Sequence, residues 1–188
     1  MSRGVSNHTK KLSVSALLSA MSVAILIIGA FIETLDLSVA AIASFLCVFA
    51  VIELGGIYPW LIFAVAGILS IVIMPHSLSG WFYLLFFGYY PILKEKFERL
   101  NKYFAWIVKF LLLNFAVFIC IAVSSFLFYG GNLLDTFNLI FGDAEKGIYL
   151  SIGVYVLVNF VFFVYDIALT KLISFYFAKL RQRFKFLR

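Results

Sequence analysis

The sequence predicts an all-α, polytopic membrane protein: a compact bundle of about six transmembrane helices with both termini in the cytoplasm. Three observations carry this expectation. The 188-residue chain is 64% hydrophobic and only 13% charged, with a mean hydropathy of +1.08. A soluble domain of this size has no interior large enough for that much apolar surface. The apolar residues fall in six runs separated by short polar breaks. The basic residues gather on one side of those runs. The whole of 1–188 reads as one integral membrane domain, with spans near 12–32, 37–54, 59–74, 78–93, 103–129 and 147–175 and a basic cytoplasmic tail over 176–188.

The first run, Leu12 to Ile32, has 21 residues and no charge, and Lys10 and Lys11 stand immediately before it. As a helix it would extend about 31 Å, close to the hydrocarbon thickness of a bilayer. Ala16, Ala20 and Ala24 recur at every fourth position, with Ser15, Ser19 and Ser22 beside them. Small residues at that spacing let a second helix approach closely in lipid, where packing replaces hydrophobic burial as the force between helices. The rail is therefore a contact face, toward a partner or toward the protein's own helices. The run is too long for a signal peptide and no cleavage site with a polar sequence follows it, so it is expected to remain as an anchor.

Glu33 to Asp36 form a short acidic loop before the second run, which carries Glu53 at its far end. Gly55 to Pro59 break the chain, and Pro59 suits the first turn of the third run. Pro75-His76-Ser77 make the next turn. The fourth run contains Gly88 and Pro91, which predict a kink near its end. The third and fourth runs are short enough to form a re-entrant hairpin instead of two crossings. The charged stretch Lys94–Lys102 precedes the long fifth run, which Gly130-Gly131 end. The loop 132–146 is the longest connection. The sixth run exceeds a span and should tilt or protrude. No internal repeat and no low-complexity segment is visible.

Six spans place three basic residues of the N-terminal tail, four of the 94–102 loop and five of the C-terminal tail on one side, twelve against Lys146 alone on the other. Such asymmetry marks the cytoplasmic face. The net charge of +6 thus speaks to orientation and not to nucleic acid. Cys47 and Cys120 lie inside apolar runs without a CxxC or a Cys/His grouping, so neither a disulfide nor a metal site is expected.

Polar groups inside spans are costly, which makes them the candidates for function. Asn114 and Asn159 should both lie near mid-membrane, where they are placed to bridge the fifth and sixth helices. Glu53, Lys109, Asp166 and Lys171 fall near the cytoplasmic boundary. Pairing and snorkelling are both open to them, and snorkelling is the plainer reading. On the outer side, Glu33, Asp36, His76, Trp81, Tyr83 and Asn132, with Asp135, surround a possible ligand mouth, in which aromatic rings stack a small organic molecule and polar groups bond its edge. An interfacial aromatic belt is the plainer account. No HExxH, GxSxG, Walker loop or paired acidic motif is present, so neither catalysis, a cofactor nor nucleotide binding is expected.

Six spans in under 200 residues, cytoplasmic termini, and a basic pair leading into ALLSAMSVA with its Ala16/Ala20/Ala24 rail resemble the substrate-binding S component of an energy-coupling factor (ECF) transporter. The resemblance covers the whole length as architecture and the first helix as motif. It implies a vitamin-like small molecule bound under the outer loops, docking of the rail on a transmembrane T component, and two cytoplasmic ATPases that supply energy. It also implies residence in a bacterial plasma membrane. The alternative is a non-catalytic scaffold similar to the small rod-shape-determining subunit of the cell-wall elongation machinery, whose outer mouth should be filled by its own side chains. A membrane enzyme with a dispersed site is the weakest reading.

Overall fold

The computed structural model describes residues 2–32, 35–97, 102–128 and 144–180. Among these, every regular element is a helix. Four helical segments are long and apolar enough to cross a membrane: His8–Ala30, Asp36–Glu53, Tyr103–Val123 and Ile152–Lys179. Among the described residues the protein is all-helical, and by length and composition four of its helices suit a membrane.

Helix α1 runs Ser2–Ala30, so it begins well before the apolar run. Extending a helix that is already nucleated adds one hydrogen bond per residue fixed, which carries it through the polar start. Helix α2, Asp36–Glu53, opens on an acidic residue that complements its N-terminal dipole. Helix α3, Tyr58–Ile73, has its proline in the first turn, as expected. Its 16 residues reach about 24 Å, short of a full hydrocarbon crossing.

The fourth predicted run is not one helix. It divides into α4, Leu78–Phe82, a π turn, Tyr83–Phe87, and α5, Tyr90–Phe97. Pro91 has no N–H to give, and in a regular helix its ring would press on the carbonyl four residues back. The wide turn just before it, closed by the Gly88 amide donating to the Tyr83 carbonyl at 2.7 Å, is the kink that Gly88 and Pro91 foretold. Gly88 is held tightly: a β-carbon there would stand 2.6 Å from the Phe63 ring and 2.9 Å from the Tyr83 carbonyl oxygen. Gly88→Ala is expected to cost about 1–3 kcal/mol by overpacking. Gly153→Ala, with nothing within 4 Å, should be neutral or stabilising. Thermal unfolding in mild detergent compares the two, and equal behaviour would refute the close packing at Gly88.

Helix α6 covers Lys102–Phe128, and α7 covers Ala144–Phe175 with a π segment, Tyr176–Leu180, after it. The structure distinguishes two compact units. The first comprises residues 1–101 and 172–188. In it α1 packs on α2 and α3, and α2 also meets α4, α5 and the π turn. Leu18, Ala50, Leu54 and Ile62 form its apolar centre, with Val14, Leu46, Phe49 and Tyr58 against them. Helix α2 presents Ala40, Ala43, Ser44, Cys47 and Ala50 inward, a small-residue face that admits its neighbours closely.

The second unit, 102–171, is α6 antiparallel to most of α7. Its buried stripes are Ala105, Lys109, Leu113 and Ala116 on α6, and Phe162, Tyr165, Asp166 and Leu169 on α7. Both follow the three-to-four-residue spacing of one helix face. Aromatic rungs join them: Trp106 stacks on Phe163 and Phe110 meets Phe162 edge-on, each at 5.6 Å.

Candidate functional site

Helix α1 separates its small residues into two faces. Ser15, Leu18, Ser19, Ser22, Val23 and Leu26 are buried, while Ala16, Ala20 and Ala24 are exposed beside Leu17, Met21 and Ile28. The serines thus belong to the inner face and the alanines to the outer one. Two of the hydroxyls are satisfied along the helix itself: Ser15 donates to the Lys11 carbonyl at 2.8 Å and Ser19 to that of Ser15 at 2.9 Å. Near its end α1 crosses close to α2, for a β-carbon on Gly29 would overlap the Val39 side chain. What remains outward is a stripe of alanines flanked by longer apolar side chains, small residues at a spacing that lets another helix approach closely.

The end of the first unit that carries the α1–α2 and α3–α4 turns is where the sequence places the ligand mouth. Asp36 is not free to receive a ligand there. Its carboxylate accepts the Ser79 amide at 3.1 Å and so caps the short helix α4. Ser79 also donates through its hydroxyl to the Leu26 carbonyl at 3.1 Å, tying α4 to α1. The Trp81 indole N–H is bonded to the Pro75 carbonyl at 3.0 Å, and His76 is exposed. Tyr83 is 0% exposed and sits in the core, not at a mouth. The reason is local: the π turn begins at Tyr83 and carries that position inward with Phe86 and Phe87. Glu33, Asn132 and Asp135 lie outside the described residues.

A cavity of about 230 Å³ opens at the other end of this unit, at the α2–α3 turn. Val51, Gly55, Gly56, Trp60, Glu95 and Lys96 contribute to its wall. Gly55 and Gly56 have φ of +61° and +60°, a left-handed conformation that a side chain would oppose. Around this turn the cations lie over aromatic faces: Lys96 Nζ is 5.9 Å from the Trp60 ring centre and Lys11 Nζ is 5.7 Å from that of Tyr58. Lys11 Nζ also donates to the Leu54 carbonyl at 3.2 Å, at the end of α2. Glu53 accepts the Tyr176 hydroxyl at 2.7 Å, which ties the π segment after α7 to α2. Sequence reasoning missed this cavity. The double glycine and the nearby Trp60 and Lys96 were its visible signals.

In the second unit Lys109 and Asp166 form an ion pair, with Nζ 3.1 and 3.2 Å from the two carboxylate oxygens and side chains only 7% and 5% exposed. Lys109 also lies 5.4 Å from the Trp106 ring centre. These two residues pair inside the protein and do not snorkel, because both fall on the buried stripes of their helices. Lys171, one turn beyond, is exposed. Asn114 and Asn159 do not bridge the helices as expected. Each amide donates to the carbonyl four residues back, Asn114 to Phe110 at 2.8 Å and Asn159 to Tyr155 at 2.9 Å. That bond satisfies one amide N–H within its own helix. Cys47 is a buried thiol directed at the Pro59 carbonyl. Among the described residues no three His, Cys, Asp or Glu side chains come together as a metal cage.

Searches against protein-family models, curated proteins and solved structures found no match for this chain.

Proposed function

We propose that the chain is a non-catalytic membrane subunit that docks a transmembrane partner along Ala16, Ala20 and Ala24, as the substrate-binding component of an ATP-driven uptake system of the ECF type. The observation that carries this reading is the outward alanine stripe on a helix whose opposite face is already packed. In lipid such a stripe gains nothing from hydrocarbon that a close-fitting helix would not improve. Twelve basic residues on one predicted side argue for cytoplasmic termini, which sets the partner's ATPases on the same side as both tails. The cargo on this reading is a vitamin-like small molecule taken from the outer side.

Leucine at positions 16 and 20 would cover the small-residue stripe from the outside, since both alanines are exposed. The Ala16→Leu/Ala20→Leu variant should stay monodisperse yet no longer co-purify with a co-expressed T component and its ATPases. Undiminished co-purification would remove the docking face.

A second reading has a specific observation behind it. Asp36 caps α4 and Tyr83 is buried, so the proposed mouth is occupied by the protein's own groups. That is the condition expected of a scaffold subunit similar to the rod-shape-determining membrane protein. Mass spectrometry of small molecules retained on the purified protein separates the two: a stoichiometric vitamin-like compound supports uptake, and its absence supports the scaffold.

A further inference from the structure

We infer that the chain pairs with a second copy of itself in the membrane through Asn114 and Asn159, whose amides hydrogen-bond across the interface between the copies. The inference rests on α6 and α7 lying in lipid and is independent of what the protein transports or docks through α1.

Each amide is only partly used. Asn114 gives one N–H to the Phe110 carbonyl and Asn159 gives one to the Tyr155 carbonyl. A side-chain amide has a second N–H and an oxygen that accepts. For both residues these remaining groups have no partner among the described residues. Both side chains are half-buried and lie inside the apolar segments Tyr103–Val123 and Ile152–Lys179. Around them Leu111, Phe115 and Phe118 on α6, and Tyr155, Val156 and Phe160 on α7, are all more than half exposed. Water would satisfy the amides at a soluble surface. Hydrocarbon cannot, and an unmet amide there is costly. The two amides also share one side of the α6–α7 pair. Trp106, Phe110 and Asn114 recur at every fourth residue along α6, as Phe163 and Asn159 do along α7. Trp106 stacks on Phe163, which lays these two rows along the same side. Beyond the contact between Phe110 and Phe162, each asparagine is about one turn further along in the same direction, because the helices are antiparallel. Asn114 and Asn159 therefore sit at one depth.

A second copy is the occupant that fits. An amide is donor and acceptor at once, so it complements itself. Two copies inserted in the same sense are related by a two-fold axis along the membrane normal, and such an axis leaves every residue at its own depth. The amides of one copy thus meet the amides of the other at the same level. A different helix would have to carry a matching polar group to that level. The apolar side chains around the pair set no such condition, since lipid suits them as well as protein does. Hydrogen bonds between polar side chains are among the forces that hold membrane helices together.

The full chain, carrying a donor or an acceptor dye at its N-terminus, would be reconstituted into phosphatidylcholine vesicles and energy transfer read as lipid is added. Wild type should show transfer above the random level that falls on dilution, as a reversible dimer does. Asn114→Leu/Asn159→Leu should need about tenfold higher protein density for the same transfer. Asn114→Gln/Asn159→Gln keeps both amides and should recover pairing. Circular dichroism of the leucine variant should match wild type, because neither amide ties α6 to α7. Ala16→Leu/Ala20→Leu should pair as wild type does, which separates this interface from the α1 stripe. Random transfer by wild type at every lipid ratio, undiminished pairing of the leucine variant, or loss of pairing in the α1 variant would each overturn the assignment.

Discussion

Replacing Asp166 with Ala is expected to destabilise the protein by about 3–5 kcal/mol, as breaking one partner out of a buried ion pair does. The charge left behind is the reason. Lys109 would keep an ammonium that is 7% exposed in the native structure, with only the Trp106 face to hold it. A cation over an aromatic ring recovers part of that loss, on the order of 1–2 kcal/mol. Lys109→Ala should cost a similar amount, because it takes the ammonium away from a carboxylate that is 5% exposed. The decisive comparison is the double variant Lys109→Met/Asp166→Leu. It removes both charges and leaves apolar side chains of similar length, so it should be far more stable than the sum of the single losses. Denaturant unfolding of the four proteins in one detergent measures this. Additive losses would mean that the two residues do not act as a pair.

Tyr83→Ala is expected to cost about 3–5 kcal/mol, the usual penalty for emptying a buried aromatic site. Tyr83 is 0% exposed, packs within 6.3 Å of the Phe63 ring centre, and begins the π turn that ends at Gly88. Its loss would leave a void at the one place where the helix is already irregular. Trp81, two residues earlier, offers the contrast. It is only half-buried, and its replacement by Phe would remove one bond to the Pro75 carbonyl, worth about 1 kcal/mol. If both residues lined a ligand mouth, the order would reverse: Tyr83→Ala would abolish ligand retention and scarcely change the melting temperature. Parallel measurement of the two quantities decides between core and mouth.

Apolar runs and breakers were enough to locate the helices. Pro59 marked the start of α3, and Gly88 with Pro91 marked the distorted stretch between α4 and α5. Depth along a span could also be counted, which put Lys109 and Asp166 at one level. Depth does not say which way a helix is rotated. That rotation made Lys109 and Asp166 a buried pair and left Lys171 exposed. The signal existed, because Ala105, Leu113 and Ala116 flank Lys109 at helical spacing, but it takes a second helix to make one face the inner one. The same blindness explains Asn114 and Asn159. Counting put them level, but each amide turns back to a carbonyl of its own helix, a choice that depth along a span does not reveal. The capping of α4 by Asp36 joins residues 43 positions apart, a distance over which local pattern carries no information.

The π turn at Tyr83–Phe87 amounts to one residue more than an α-helical path would need. Each residue advances a helix by about 100°, so that surplus sets the azimuth of everything downstream in α5. Tyr90, Pro91 and Lys94 face inward as a result, with Lys94 only 1% exposed. A relative lacking a single residue between Tyr83 and Phe87 would present a different set of α5 side chains to the interior, although every amino acid in α5 were the same. Alignments across this stretch should therefore be judged by the placement of that gap before any substitution is weighed.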